Sequence, residues 1–279
     1  MPALLQHLGA GSGSGGRGLW LDYGAYAARL LANGAGPWLD ADAAGAWMRK
    51  AQSLLKSDVV VLPVATVTEQ WLQAQPELAT AMAARRRAVF PLKTLLADAP
   101  LRAQLVELAR VLRALFDKLP LVLAVPSPRR WVALSYAQAF GGETPEIDAD
   151  AVDGAAAYVA DFLRAFADCG IDGLLLREDA ASAPASADDL ALYQAVFNVA
   201  AHYRWDAGLQ LPPGSPGAAG DGPAFALADQ PLAGLPTGIA VPPAFWSGAD
   251  APQAGGFRYA EIPAEAQPER VLERLALLR

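Results

Sequence analysis

Arg177-Glu178-Asp179 puts three charged residues at the end of the apolar run Gly173-Leu174-Leu175-Leu176. A carboxylate beside a guanidinium can accept or donate a proton, or anchor a ligand. The neighbouring cation favours the ionised acid, whereas burial alone favours the protonated one. Glu178 and Asp179 are therefore the candidate proton-transfer groups, with Arg177 as an anion contact. On a strand end, alternation sends Arg177 and Asp179 to one side and Glu178 to the other. The same trio can equally be a rim ion pair that fixes a loop. Arg129-Arg130 follows Pro126-Ser127-Pro128. At a helix start these guanidiniums can clamp a carboxylate or phosphate, with helix amides and Ser127 as further donors, or they can simply be solvated. Asp22-Tyr23 ends another apolar run and is a candidate substrate contact, although a strand-end aspartate can also cap the next helix. Trp246, next to Phe245, either lines an apolar pocket or covers the end of the fold.

Other patterns carry less chemistry. Gly11-Ser12-Gly13-Ser14-Gly15-Gly16 satisfies G-x-G-x-x-G. A dinucleotide site needs a strand before that motif and a helix directly after it. Here a short strand follows, so the segment reads as a flexible loop over 9–18, able to close over a site. His202-Tyr203 falls at a helix end, on the side of a barrel away from chemistry. Cys169, the one cysteine, excludes an internal disulfide and a Cys-based metal cluster and fits a reducing cytoplasm. With only His7, His202 and Cys169 available, no zinc set can be assembled, and neither metal nor cofactor is expected.

The elements that must position these residues alternate. Strands are expected at 18–22, 58–64, 119–125, 172–176, 206–211, 223–228, 238–241 and 257–262. Helices are expected over 40–56, 67–118, from 129 onward, 150–169, 186–203 and 268–279. Runs such as Val59-Val60-Val61-Leu62 are apolar on both faces, as strands of a buried parallel sheet are. Eight strands in 279 residues predict one α/β domain over 1–279, a (β/α)₈ barrel. Between 206 and 257 full crossover helices hardly fit, so the second half is expected to have shortened or irregular helices. Functional residues of such barrels lie at the C-terminal strand ends, and that rule nominates the residues above.

Composition narrows the partners. Net charge is −7 and no basic face interleaves with aromatics, which speaks against nucleic acid. Apolar residues make up 53%, many of them alanine, and no run approaches the roughly 20 residues needed to span a bilayer. Met1-Pro2-Ala3-Leu4-Leu5 lacks a basic region followed by a hydrophobic stretch, so a cytoplasmic location is expected. The shortened second half leaves room for a second copy or a partner subunit.

Two stretches carry a family likeness: Leu119-Pro120-Leu121-Val122-Leu123-Ala124-Val125-Pro126-Ser127-Pro128, and Ala165-Phe166-Ala167-Asp168-Cys169-Gly170-Ile171-Asp172-Gly173 continuing to Asp179. They resemble the superfamily of uroporphyrinogen decarboxylase and cobalamin-independent methionine synthase. Its members carry a PL-apolar-apolar-x-x-PGP strand and an L-x-x-A-G-x-D junction into the next strand. Leu55-Lys56-Ser57-Asp58-Val59-Val60-Val61 is similar to their second strand, so the resemblance covers about 18–180. It implies a barrel, decarboxylation or methyl transfer on a small or medium anionic organic molecule, and substrate contacts after strand four. The chain departs from the pattern in three places. The loop after strand one offers only Arg29, no carboxylate stands in Leu62-Pro63-Val64-Ala65-Thr66, and the zinc ligands are missing. Those departures suit the alternative, a catalytically degenerate barrel that serves as a ligand-binding or accessory subunit.

Overall fold

A computed structural model describes residues 4–10, 18–217, 220–252 and 256–279. A short helix, α1 (Leu4–His7), precedes strand β1 (Leu19–Asp22), which is followed by α2 (Gly24–Leu31) and α3 (Ala41–Leu55). Strand β2 (Val60–Pro63) leads without a loop into α4 (Val64–Ala74), then α5 (Pro76–Met82), α6 (Phe90–Ala97) and α7 (Ala99–Leu115). Strand β3 (Leu121–Pro126), α8 (Pro128–Ala139) and α9 (Ala149–Leu163) come next, followed by β4 (Gly173–Arg177), α10 (Ala187–Ala191) and α11 (Gln194–Tyr203). The chain then runs through β5 (Asp206–Gln210), β6 (Phe225–Ala228), β7 (Thr237–Ala240), a 3₁₀ turn at Pro243–Ser247, β8 (Arg258–Glu261) and α12 (Pro268–Ala276).

All pairings are parallel, and the strand order is β1-β8-β7-β6-β5-β4-β3-β2. Eight parallel strands alternating with helices form a nearly closed (β/α)₈ barrel, as the run of elements predicts. No helix among the described residues is long and apolar enough to cross a membrane. The second half is irregular as expected: β5, β6 and β7 are joined by loops, and β7 reaches β8 through the 3₁₀ turn. The single helix expected over 67–118 is four helices. Pro76, Pro91 and Pro100 each sit in a first helical turn, where a missing N–H costs nothing, and Pro76 and Pro100 follow closely on the ends of α4 and α6.

Local chemistry fixes the starts of the helices. Asp40 caps α3 by accepting from Ala43 N at 2.9 Å, and Asp148 caps α9 through Ala151 N at 2.8 Å. Outward strand residues such as Leu62, Leu123, Leu174 and Leu176 bury against the helical layer. Inward residues Trp20, Val122, Leu175, Phe225, Leu227, Phe257 and Tyr259 fill the barrel. Room for two of these rings comes from glycine. A Cβ at Gly208 would lie 2.3 Å from the Phe225 ring, and one at Gly238 would lie 2.3 Å from Phe257.

α1 plugs the N-terminal mouth. Leu4 and Leu8 are fully buried in the interior cluster, and Leu5 N donates to Asp206 at the start of β5. Gly18, before β1, packs against Leu8. Residues 11–17, most of the expected Gly/Ser loop and all of the G-x-G-x-x-G match, lie outside the described residues. The flanks of that loop, Ala10 and Gly18, stand at the N-terminal mouth beside α1, opposite the rim where a lid would act.

One seam has no ladder. Among the described residues β1 and β2 exchange no strand pairing. Side chains bridge them instead: Leu19 N donates to Asp58 Oδ2 at 2.7 Å and Leu21 N to Ser57 Oγ at 3.0 Å, while Asp58 N reaches Leu19 O at 3.0 Å. These bridges lie low in the barrel. Toward the C-terminal ends the two strands run side by side unbonded.

Candidate functional site

A cavity of about 460 Å³ opens where that seam stays apart, at the C-terminal mouth. Leu21, Asp22 and Tyr23 from the β1 end and Val61 and Pro63 from β2 form its floor. Thr66, Glu69, Gln70 and Gln73 of α4 form one wall, Arg177 and Glu261 the other, and Trp38 and Met48 supply apolar surface. Such a cavity, mostly apolar with a few convergent polar groups on the C-terminal face, is where a barrel holds its ligand.

Alternation explains who arrives there. Counting inward from Trp20, the next inward residue of β1 is Asp22; from Leu175, that of β4 is Arg177; from Tyr259, that of β8 is Glu261. Arg177 Nη2 donates to Asp22 Oδ2 at 2.9 Å, and the Tyr259 hydroxyl donates to the same oxygen at 3.3 Å. Gln210 Nε2 donates to the Tyr259 oxygen at 3.2 Å, extending the chain of contacts to β5. Asp22 and Glu261 face each other in the β1–β8 register.

Burial lowers the basicity of Arg177, but the charges of Asp22 and Glu261 and the hydrogen bond to Asp22 outweigh it and hold the guanidinium cationic. Glu261 is raised above the usual carboxylate range, first by desolvation and then by Asp22, with Arg177 opposing. Tyr23 and Tyr259 are raised above ordinary phenols, first by burial and then by Asp22, so both stay protonated donors. The wall therefore offers one exposed acid raised above the ordinary carboxylate value beside a fixed ion pair. A raised carboxyl beside a fixed ion pair is chemically able to exchange a proton.

The nominated residues divide. Asp22, Tyr23 and Arg177 meet in the cavity. Glu178 points to the other side of β4 and is 6% exposed, accepting from Ser127 Oγ at 2.5 Å. Burial raises it, while the hydroxyls of Ser127, Ser182 and Tyr193 pull it down. Ser127 also caps α8, accepting from Arg130 N at 3.3 Å. Asp179 lies beyond the strand, where its Oδ1 accepts from Ala181 N and Ser182 N at 3.0 Å each. Arg130 pairs with Asp179 at 3.3 Å and donates to Glu178 O, and Arg129 reaches Ile147 O and lies 3.6 Å from Asp189. These contacts form a second network that ties the β3 and β4 loops together outside the cavity. Trp246 lines a separate groove of about 440 Å³ with Pro243 and Arg270, and its indole donates to Glu261 O at 2.8 Å.

Two cavity residues, Glu261 and Glu69, were not among the nominated site residues, nor was Tyr259, whose hydroxyl reaches Asp22 from below. Thr66, Glu69, Gln70 and Gln73 repeat at helical spacing directly after Pro63, so a polar stripe on α4 was the available signal. It supplies the carboxylate that the segment after β2 lacks. Glu261 was visible as a strand end, but only the register with Asp22 gives it a partner. Among the described residues no group of three or more His, Cys, Asp and Glu is arranged to hold a metal ion. Compared with family models and with curated proteins, the chain matches none.

Proposed function

We propose that the chain is a barrel enzyme that performs proton-transfer chemistry on a small polar organic molecule in the cavity between β1 and β2. Glu261 exchanges the proton, and the Asp22–Arg177 pair provides a fixed electrostatic partner. The observation that carries this is the meeting of Asp22, Arg177 and Glu261, from three separate strands, in one cavity at the C-terminal mouth. Decarboxylation and methyl transfer, the classes implied by the family resemblance, both have a place for it. Loss of CO₂ leaves a carbon that must take up a proton, and a protonated nucleophile such as a thiol gives up a proton when it accepts a methyl group. Glu178 and Asp179 lie outside the cavity, so in this proposal the proton-transfer role passes to Glu261, and Arg177 remains the ligand contact.

One observation favours a second reading, a barrel that binds without turnover. Arg177, the one guanidinium in the described cavity wall, is already paired with Asp22. A thermal-shift screen followed by NMR of each stabilising compound separates the two. A ligand at 100 times its dissociation constant stabilises by about 2.7 kcal/mol. A compound that stabilises the parent but not Glu261→Gln, and is consumed by the parent alone, supports the enzyme. Stabilisation without consumption supports the binding barrel. Hits that ignore substitutions of Asp22, Arg177 and Glu261 alike sink both.

A further inference from the structure

We propose that the cavity accepts a ligand bearing a protonated amine, held between Glu69 of α4 and Glu261 of β8. This deepens the small-molecule site proposed above and rests on it. Charge decides which ligand fits. Arg177 and Asp22 neutralise each other across 2.9 Å, and Tyr259 occupies the same aspartate oxygen. No other Lys, Arg or His is among the described residues that line the cavity. Glu69 and Glu261 remain, and among the described residues neither side chain makes a hydrogen bond or an ion pair. Gln70, Gln73 and Thr66 on the same wall also present side-chain oxygens that no described residue uses.

An incoming carboxylate would thus meet two unpaired carboxylates and a guanidinium already engaged. An ammonium would meet two unpaired acceptors and no competing cation. Placement agrees with charge. Glu69 from α4 and Glu261 from the end of β8 line the same cavity as Asp22, which ends the strand between them. Glu261 sits exposed at the end of β8 with its carboxyl raised by desolvation and by Asp22 and opposed only by Arg177, and an ammonium would add to that opposition. Trp38, Met48 and Ala28 provide an apolar wall for the carbon chain that carries the amine. The expectation of an anionic ligand finds no free positive charge here.

Four compounds of equal chain length isolate the charge: 1,4-diaminobutane, 4-aminobutanoate, succinate and 1,4-butanediol, each titrated into the full chain by calorimetry at matched ionic strength. The diamine or the amino acid is expected to bind most tightly. Glu69→Gln and Glu261→Gln should each weaken it about tenfold or more, the loss of one hydrogen bond to a charged group. Glu107→Gln, exposed on α7, should leave it unchanged. Tightest binding of succinate, lost in Arg177→Met, would overturn the amine and leave the cavity standing as a ligand site. Binding of the diol as tight as the diamine, or binding of none of the four, also overturns it. In either case a screening hit that depends on Glu261 keeps the proposed site intact.

Discussion

Replacing Arg177 by methionine, and separately Asp22 by asparagine, should move the titration of Glu261 in opposite directions. Arg177 opposes the rise of the Glu261 carboxyl and Asp22 reinforces it. Arg177→Met therefore pushes Glu261 further up, and Asp22→Asn lets it fall toward the ordinary carboxylate value of 4.5. The cost in stability follows from exposure. The two side chains are 28% and 26% exposed, between a surface pair and a buried one. Surface pairs contribute about 0.2–1 kcal/mol, and breaking a buried pair costs about 3–5 kcal/mol. Solvent screening at a quarter exposure places Arg177→Met at about 2 kcal/mol, or roughly 4–8 °C in Tm for a domain of this size. Asparagine keeps an oxygen for the Tyr259 hydroxyl, so Asp22→Asn should cost about 1 kcal/mol. Carboxyl carbon NMR of labelled glutamate, with Glu261→Gln to assign the resonance, reads the titration, and urea unfolding reads the stability. Shifts of the same sign in both variants, or none in either, would refute the electrostatic account of the site.

The barrel makes three further demands. Phe225→Ala empties the interior against Gly208, a site that cannot collapse onto a side chain, and should cost about 3–5 kcal/mol in urea unfolding. Asp172→Ala should cost about 3 kcal/mol, because buried Asp172 accepts from Leu121 N at 2.9 Å and pairs with Arg113 at 2.5 Å, leaving that backbone N–H unmet and a part-buried guanidinium without its carboxylate. Glu178→Gln should flatten the pH dependence of stability. The carboxyl of Glu178 is raised in the folded chain, so its contribution is present below 4.5 and is lost as pH rises through the folded value. The variant should therefore gain on the parent as pH rises from 4.5 through the raised folded value, and unfolding curves showing the parent gaining instead would contradict the burial argument.

The sequence displayed the architecture through strands that are apolar on both faces, such as Val60 to Leu62 and Leu121 to Val125, because a parallel barrel buries both sides of each strand. It also displayed the missing helices of the second half, since Pro- and Gly-rich spacers between 211 and 257 are too short for crossovers. The site was legible only in part. Strand-end position nominated Asp22 and Arg177, and alternation put Arg177 on the opposite side from Glu178. What adjacency in sequence hides is that Arg177 and Glu178 serve two different networks on opposite faces of β4. The partners of Arg177, namely Asp22, Tyr259 and Glu261, lie 155, 82 and 84 residues away in the chain. Only the closure of β8 onto β1 brings them together. The unzipped β1–β2 seam depends on Ser57 and Asp58 replacing backbone partners, which neither residue type announces on its own.

The central claim is that ligand chemistry takes place in the cavity above that seam. A crystal structure of the chain with the first compound that stabilises it tests this most directly. The compound should lie within hydrogen-bonding reach of Glu261 and beside the Asp22–Arg177 pair, between β8 and α4. Density for it in the groove of Trp246 and Arg270, or against the Arg129, Arg130 and Asp179 network, with the cavity empty, would contradict the account.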